Sequence, residues 1–346
     1  MVLNLADEFV AAGHDVDLVL VKAKGEYLKA LPVGVRVVKL AARHTWTSLF
    51  ALARYLRRER PDAILAAKDR AMRVAVLARA LSGCRARLVG RLGTTVTAAL
   101  EGKGHLRRMT WFAGMRMFYR HLDAIVAVSD GVAEDVRGIT GLREEKVKVI
   151  RNPVVTARLA EMASAPAGHP WLEPGGPPVI MGIGRLTEQK DFPTLIRAFA
   201  KVHRRRSARL MILGDGHGTQ DLLALAGAEG VAEDLHLAGF QANPYAWLAR
   251  ASVFVLSSRW EGSPNALTEA MALGIPVVST DCRSGPRELL HGGRFGPLVQ
   301  VGDADALAEA ILGVLQRPPR PDALRAAVQE YRAESSARRY LDVLCL

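Results

Sequence analysis

Short apolar runs alternate with amphipathic stretches along almost the whole sequence, and this alternation leaves few folds open. Residues 3–11 read as a helix, and 14–21, rich in Val and Leu, as a strand. Residues 48–59 place Leu49, Leu52, Ala53 and Leu56 at helical spacing, and Pro61 ends the run. Strands at 63–67 and 87–90 enclose a helix at 71–81; helix 106–119, strand 124–128, helix 132–138 and strand 147–150 follow. Helices joining short apolar strands mean a parallel sheet covered on both faces, so the expected fold class is α/β.

The pattern breaks at 163–178, where five prolines and three glycines accompany no apolar periodicity. That composition reads as a linker between domains. Alternation resumes with strand 179–183 and helix 192–203 and continues to helix 304–315. The expected organisation is two Rossmann-like domains, 1–162 and 179–330, either side of the linker, facing a cleft where ligands bind. A length of 346 residues suits two cores better than one. A last helix at 335–344 puts Ala337, Tyr340, Leu341 and Leu344 on one face, and 331–346 is expected to pack back on the first domain.

Three cysteines, Cys84, Cys282 and Cys345, lie far apart, so neither a disulfide framework nor a zinc site is expected. The longest apolar runs, 124–128 and 251–256, fall far short of the ~20 residues that cross a bilayer. No secretion signal opens the sequence, and the expected compartment is the cytoplasm. The net charge of +12 is uneven: residues 1–165 hold 28 Lys/Arg against 16 Asp/Glu, while the rest holds 19 of each. Such asymmetry points to an anionic partner for the basic half. No zinc-finger, basic-zipper or RNA-recognition signature is present, so nucleic acid is not the expected partner. Residues 100–121 interleave Lys103, His105, Arg107, Arg108, Arg116 and Arg120 with Trp111, Phe112, Met115, Met117, Phe118 and Tyr119. This mixture suits a helix lying on an anionic membrane, peripheral to its inner face. The plainer alternative is a core helix with a basic outer face.

The stretch Glu261-Gly-Ser-Pro-Asn-Ala-Leu-Thr-Glu269 follows a buried strand and runs into an apolar helix. A helix start offers unpaired backbone N–H groups and the positive end of a dipole, which suit a diphosphate. Two carboxylates there would accept hydrogen bonds from hydroxyls on either side of it. Gly182-Ile-Gly184-Arg185-Leu-Thr-Glu-Gln-Lys190-Asp191 also follows a strand and precedes a helix. Arg185 and Lys190 can clamp a diphosphate, and Gly184 lets the backbone come close. Solvated loop charges are the alternative for each stretch alone; the two together favour a site.

These stretches, with Leu213-Gly-Asp-Gly216, Leu237-Ala-Gly-Phe240 and Ala272-Leu-Gly-Ile-Pro276, resemble the retaining glycosyltransferases of family 4, which have the GT-B fold. Asp281-Cys-Arg-Ser-Gly-Pro-Arg-Glu288 resembles a block of the polysaccharide and lipid-linked oligosaccharide branches. The resemblance covers roughly residues 182–288 and implies a sugar transfer from a nucleotide-diphosphate sugar to a glycan or lipid-linked acceptor, without cofactor or metal. It implies that Arg185 and Lys190 hold the diphosphate, that Glu261 contacts the donor sugar and Glu269 the ribose, and that Gly239 and Phe240 lie by the base. Glu261, Arg185 and Lys190 are thus the expected catalytic groups. Gly184, Ser263, Pro264, Asn265, Ala266 and Leu267 join Glu269, Gly239 and Phe240 as donor-binding residues. The N-terminal half matches less specifically, through Val128-Ser129 and Arg151-Asn152-Pro153-Val154. A strand and a Gly-rich loop that relatives carry ahead of helix 3–11 are missing from this chain, and Gly93 stands nearest to the position of a His found in many of them. A nucleotide-sugar epimerase or hydrolase of similar fold, and a non-catalytic sugar-nucleotide or membrane-binding protein, are the alternatives.

Overall fold

The computed structural model describes residues 1–22 and 31–346, and the chain divides into two compact units. Unit 1 comprises Met1–Val154 and Tyr331–Leu346; unit 2 is Val155–Glu330. Unit 1 runs α1 (Val2–Ala11), β1 (Val16–Leu20), β2 (Val35–Lys39), α2 (Leu49–Glu59), β3 (Ala63–Ala67), α3 (Asp69–Ser82), β4 (Arg87–Leu92), α4 (Val96–Ala99), α5 (His105–Tyr119), β5 (Ala124–Ala127), α6 (Asp130–Thr140) and β6 (Val147–Val149). Unit 2 holds α7 (Ala157–Ser164), β7 (Val179–Ile183), α8 (Phe192–His203), β8 (Arg209–Leu213), α9 (Thr219–Ala228), β9 (Leu235–Gly239), α10 (Pro244–Leu248), β10 (Val253–Leu256), α11 (Asn265–Leu273), β11 (Val277–Thr280), α12 (Pro286–Leu289), β12 (Leu298–Val299), α13 (Ala304–Gln316) and α14 (Pro321–Ala327). The last helix, α15 (Ala333–Leu344), belongs to unit 1.

Unit 2 has one six-stranded sheet in the order β12-β11-β10-β7-β8-β9, every pair parallel. Numbered from β7, this is the doubly wound order 3-2-1-4-5-6, whose direction reverses between β7 and β10. Its strands are apolar along their length because helices cover both faces: Ile180, Leu210, Ile212 and Val253 pack with Leu195, Phe199 and Ile311.

Unit 1 has the same α/β plan but its sheet is in two parts, β1-β2 and β3-β4-β5-β6. The same helices serve both parts. Leu5 and Phe9 of α1 and Tyr340 of α15 share one cluster with Val16, Leu65, Val89 and Val126. On the other side, Leu56 of α2 shares a cluster with Val19, Val38 and Ile64. Among the described residues the two parts share no strand pairing.

Residues 155–178 belong to unit 2, including the Pro-rich stretch expected as a linker. Side chains from distant strands and helices pin it down. Asn243 Nδ2 donates to Met162 O at 2.7 Å, and the Arg209 guanidinium lies 4.8 Å from the Trp171 ring centre. α15 is held to unit 1 by Tyr340, fully buried, by Ser336 Oγ donating to Arg151 O at 2.9 Å, and by Arg87 Nε donating to Val343 O at 2.6 Å. Among the described residues no helix is long and apolar enough to cross a membrane.

Candidate active site

The two stretches singled out above leave the carboxyl ends of β7 and β10, the neighbours at which the sheet order reverses. After β7 the chain passes Gly184, a 3-10 turn at Glu188–Lys190, and Asp191, whose φ of +47° turns it into α8. After β10 it passes Ser257–Pro264 and enters α11. Backbone and amide bonds stitch the loops together: Arg259 N donates to Gln189 O at 2.8 Å, Gln189 Nε2 to Trp260 O at 3.0 Å, and Ser257 Oγ to Lys190 O at 2.7 Å.

Lys190 and Glu261 meet directly at this seam. Lys190 Nζ lies 2.6 Å from Glu261 Oε1, and their side chains are 18% and 8% exposed. Ser258 Oγ donates to the same oxygen at 2.8 Å. A charge this buried is costly unless it is paired and hydrogen-bonded, as this one is. The stem of Lys190 passes over Gly184, where a Cβ would come within 2.9 Å of Lys190 Cε. Behind it, Gly214 has φ +132°, and a Cβ there would lie 2.1 Å from Gly184 O, so only glycine lets these strand ends approach. Arg185 is exposed on the same loop.

Pro264 is the N-cap of α11 rather than a residue of its first turn, and no side chain caps the helix. Leu267 and Thr268 N–H groups turn back to Pro264 O. Asn265 and Ala266 begin the helix, at the positive end of its dipole. Ser263 Oγ is buried there with no hydrogen-bond partner. The 281–288 block braces this turn: Arg283 bridges to Trp260, Ser284 Oγ donates to Gly262 O at 3.3 Å, and Gly285 packs against Pro264.

Glu269 lies on α11 and accepts from Tyr245 Oη at 3.2 Å. Burial raises its pKa above the ordinary carboxylate value, and the Tyr245 hydroxyl opposes that. Gly239 ends β9 with φ +66°, and Phe240 N donates to Asp215 Oδ1 at 3.1 Å. The Phe240 ring is exposed. The donor-site residues picked out from sequence thus lie on loops, or on α11, that follow strands of one sheet. Sequence reasoning missed the partners Ser258, Asp215 and Tyr245. Asp215 sits inside a recognised motif, but nothing local marks what it binds.

Two α/β units built on parallel strands, one of them doubly wound with charged loops at its switch point, are the plan of the GT-B class. The Glycosyltransferase Family 4 model matches residues 1–158 and the Glycosyl transferases group 1 model matches 177–317, so the chain belongs to family 4 of the glycosyltransferases. It is 35% identical over 211 residues to the lipopolysaccharide core biosynthesis glycosyltransferase LpsE of Rhizobium meliloti, a match covering 61% of this chain and 59% of that one. It is 30% identical over 224 residues to the N-acetylgalactosamine-N,N'-diacetylbacillosaminyl-diphospho-undecaprenol 4-alpha-N-acetylgalactosaminyltransferase of Campylobacter jejuni, covering 65% and 58%. The chain therefore spans less than two thirds of the length of these curated relatives. Among solved structures, HepE of Anabaena in complex with UDP and glucose superposes with a TM-score of 0.72 at 21% identity, over 99% of this chain and 92% of that one.

Proposed function

We propose that this chain moves a sugar, with retention at the anomeric carbon, from a nucleotide-diphosphate sugar to a glycan or lipid-linked acceptor. The observation that carries the reading is the buried Lys190–Glu261 pair beside the uncapped start of α11, at the switch point of unit 2. Arg185, Lys190 and the first N–H groups of α11 hold the diphosphate and stabilise the charge that builds on it as the anomeric C–O bond breaks. Glu261 orients the donor sugar through its hydroxyls rather than attacking it. Glu269 takes the ribose, and Gly239 and Phe240 lie by the base. Gly184 gives the diphosphate room, and Ser263, with its unpartnered Oγ, donates to the donor. The acceptor oxygen replaces the diphosphate on the same face of the sugar, and its proton leaves with the nucleotide. The UDP and glucose in the HepE complex, and the lipopolysaccharide-core and diphospho-undecaprenol names of the two relatives, support this choice of donor and acceptor.

The outward face of α5 carries Leu106, Met109 and Met117, all more than half exposed, with Arg107, Arg116 and Arg120 beside them. Together these favour contact with an anionic membrane, the chain working peripherally on the cytoplasmic face. The aromatic residues expected to share that contact turn inward instead: Tyr119 is buried, as is Met115, and Trp111, Phe112 and Phe118 pack on the core.

Labelled UDP-sugars offered with a lipid-diphosphate-linked glycan or a lipopolysaccharide core should yield an extended glycan. Glu261→Gln should keep the folded circular-dichroism spectrum and lose roughly 10²-fold or more in turnover. Release of an epimer or of free sugar would establish the epimerase or hydrolase instead, and donor binding without turnover would leave a non-catalytic binder.

A further inference from the structure

Glu269 is met by a side chain from a different element of unit 2. It sits on α11 between the buried Thr268 and Ala270. Tyr245 sits on α10, the short helix that follows Gly239 and Phe240. Its hydroxyl donates to Glu269 Oε1 at 3.2 Å, and Glu269 Oε2 takes no hydrogen bond from any described residue.

α10 is a firm mount for that hydroxyl. Asn243 Nδ2 ties its start to Met162 O at 2.7 Å. Arg250 Nη1 ties its end, donating to Ala246 O at 2.6 Å and to Ala163 O at 3.4 Å. Ala246 and Leu248 are buried between these anchors. The chain leading into the helix is fixed as well, because Phe240 N donates to Asp215 Oδ1 at 3.1 Å and Gln241 Nε2 to Ala238 O at 2.6 Å. A tyrosine side chain has few torsions, so a fixed backbone nearly fixes its hydroxyl. A glutamate has more, and ordering its carboxylate costs rotamer entropy unless a neighbour already holds it.

The bond also favours the form of Glu269 that can accept. Burial pushes its carboxyl above the ordinary carboxylate range, and the Tyr245 hydroxyl opposes that shift. An ionised carboxylate is acceptor-only, with lone pairs on both oxygens. Tyr245 takes up Oε1 and leaves Oε2 open to a pair of neighbouring hydroxyls.

We propose that Tyr245 is a positioning residue for the ribose of the nucleotide: its hydroxyl holds Glu269 Oε1 so that Oε2 is set in advance for the 2′ and 3′ hydroxyls. This rests on the placement of the ribose at Glu269 above. Pre-ordering a group removes a cost that binding would otherwise carry. Tyr245 acts through Glu269, so it strengthens the preference for a ribonucleotide, and a nucleotide without those hydroxyls gains nothing from it.

Calorimetry on the whole chain with UDP and 2′,3′-dideoxy-UDP tests this. Wild type should bind UDP more tightly than the dideoxy form. Tyr245→Phe removes one oxygen and keeps the ring; it should narrow that preference roughly tenfold, the worth of a hydrogen bond to a charged group. Its affinity for dideoxy-UDP should stay within about twofold of wild type. In Glu269→Ala the preference should vanish, and adding Tyr245→Phe should then change neither affinity, the mark of a residue that works through another. Equal weakening of both nucleotides in Tyr245→Phe would reduce Tyr245 to a packing role. An unchanged preference in that variant, or a further loss of UDP affinity when Glu269 is already absent, would overturn the positioning role. No preference in wild type, or one that survives Glu269→Ala, would overturn the placement of the ribose itself.

Discussion

Lys190 and Glu261 show how a pair of side chains takes its meaning from its surroundings. A solvated Lys–Glu contact contributes little, whereas this pair is sheltered and also braced by Ser258. In Lys190→Ala, nucleotide diphosphate loses a charge-assisted contact worth about 1.5–3 kcal/mol, so its affinity should fall roughly ten- to hundredfold. Calorimetry with UDP measures this, and an unchanged affinity removes Lys190 from the site. His169 and His236 are a second such pair, 4.5 Å apart between ring centres and flanked by Trp171 and Trp247. Burial lowers both pKa values, and for His169 the neighbouring His236 and Arg209 add to it. The unfolded chain, titrating near ~6.5, then binds more protons than the folded one, so the pair's contribution is present above that pH and is lost as pH falls through the folded values. Thermal melts of unit 2 should be level above about pH 7 and decline below ~6.5, and His169→Gln/His236→Gln should flatten the decline. Equal declines in both proteins would acquit the histidines. The sequence marked Lys190 and Glu261 individually but not as partners, because 71 residues separate them and no periodicity links them.

Helices and strands were legible in proportion to how much of them is buried. α8 buries eight of its twelve residues and reads clearly. α7 buries only Leu159 and Ala163, too few to leave a helical period, and its chain was read as the end of one domain and the start of a linker. β2, five residues paired only to β1, also left no signal. α5 was legible as a helix, but its orientation was not, since apolar residues occur on both its faces. The outward one carries the membrane prediction. Anionic vesicles should sediment with the protein and neutral ones should not, and replacing Arg107, Arg108 and Arg120 should weaken the interaction by about 1 kcal/mol each. Arg116 should contribute less, because its Nε already donates to Ile139 O at 2.7 Å. Equal sedimentation with both kinds of vesicle would refute the contact.

Across the molecule the decisive contacts join distant parts of the chain. α15 lies next to α1 and against β3 and β4, so unit 1 is complete only when residues from both ends of the described chain have come together. Tyr340 is the largest side chain it buries, and Tyr340→Ala should cost on the order of 3–5 kcal/mol. Urea unfolding followed by a unit 1 probe measures this, and a loss below ~1 kcal/mol would show that the helix only rests on the surface. Periodicity and turn chemistry are properties of neighbouring residues, so the α/β class, the parallel strands and the Gly- and charge-bearing loops at strand ends were already written in the order of amino acids. Strand order, the adjacency of β7 and β10 that brings Lys190 to Glu261 and the capture of 155–178 by unit 2 were decided by folding in three dimensions. Each depends on which buried surfaces fit together across tens to hundreds of residues, and that fit leaves no local period to read.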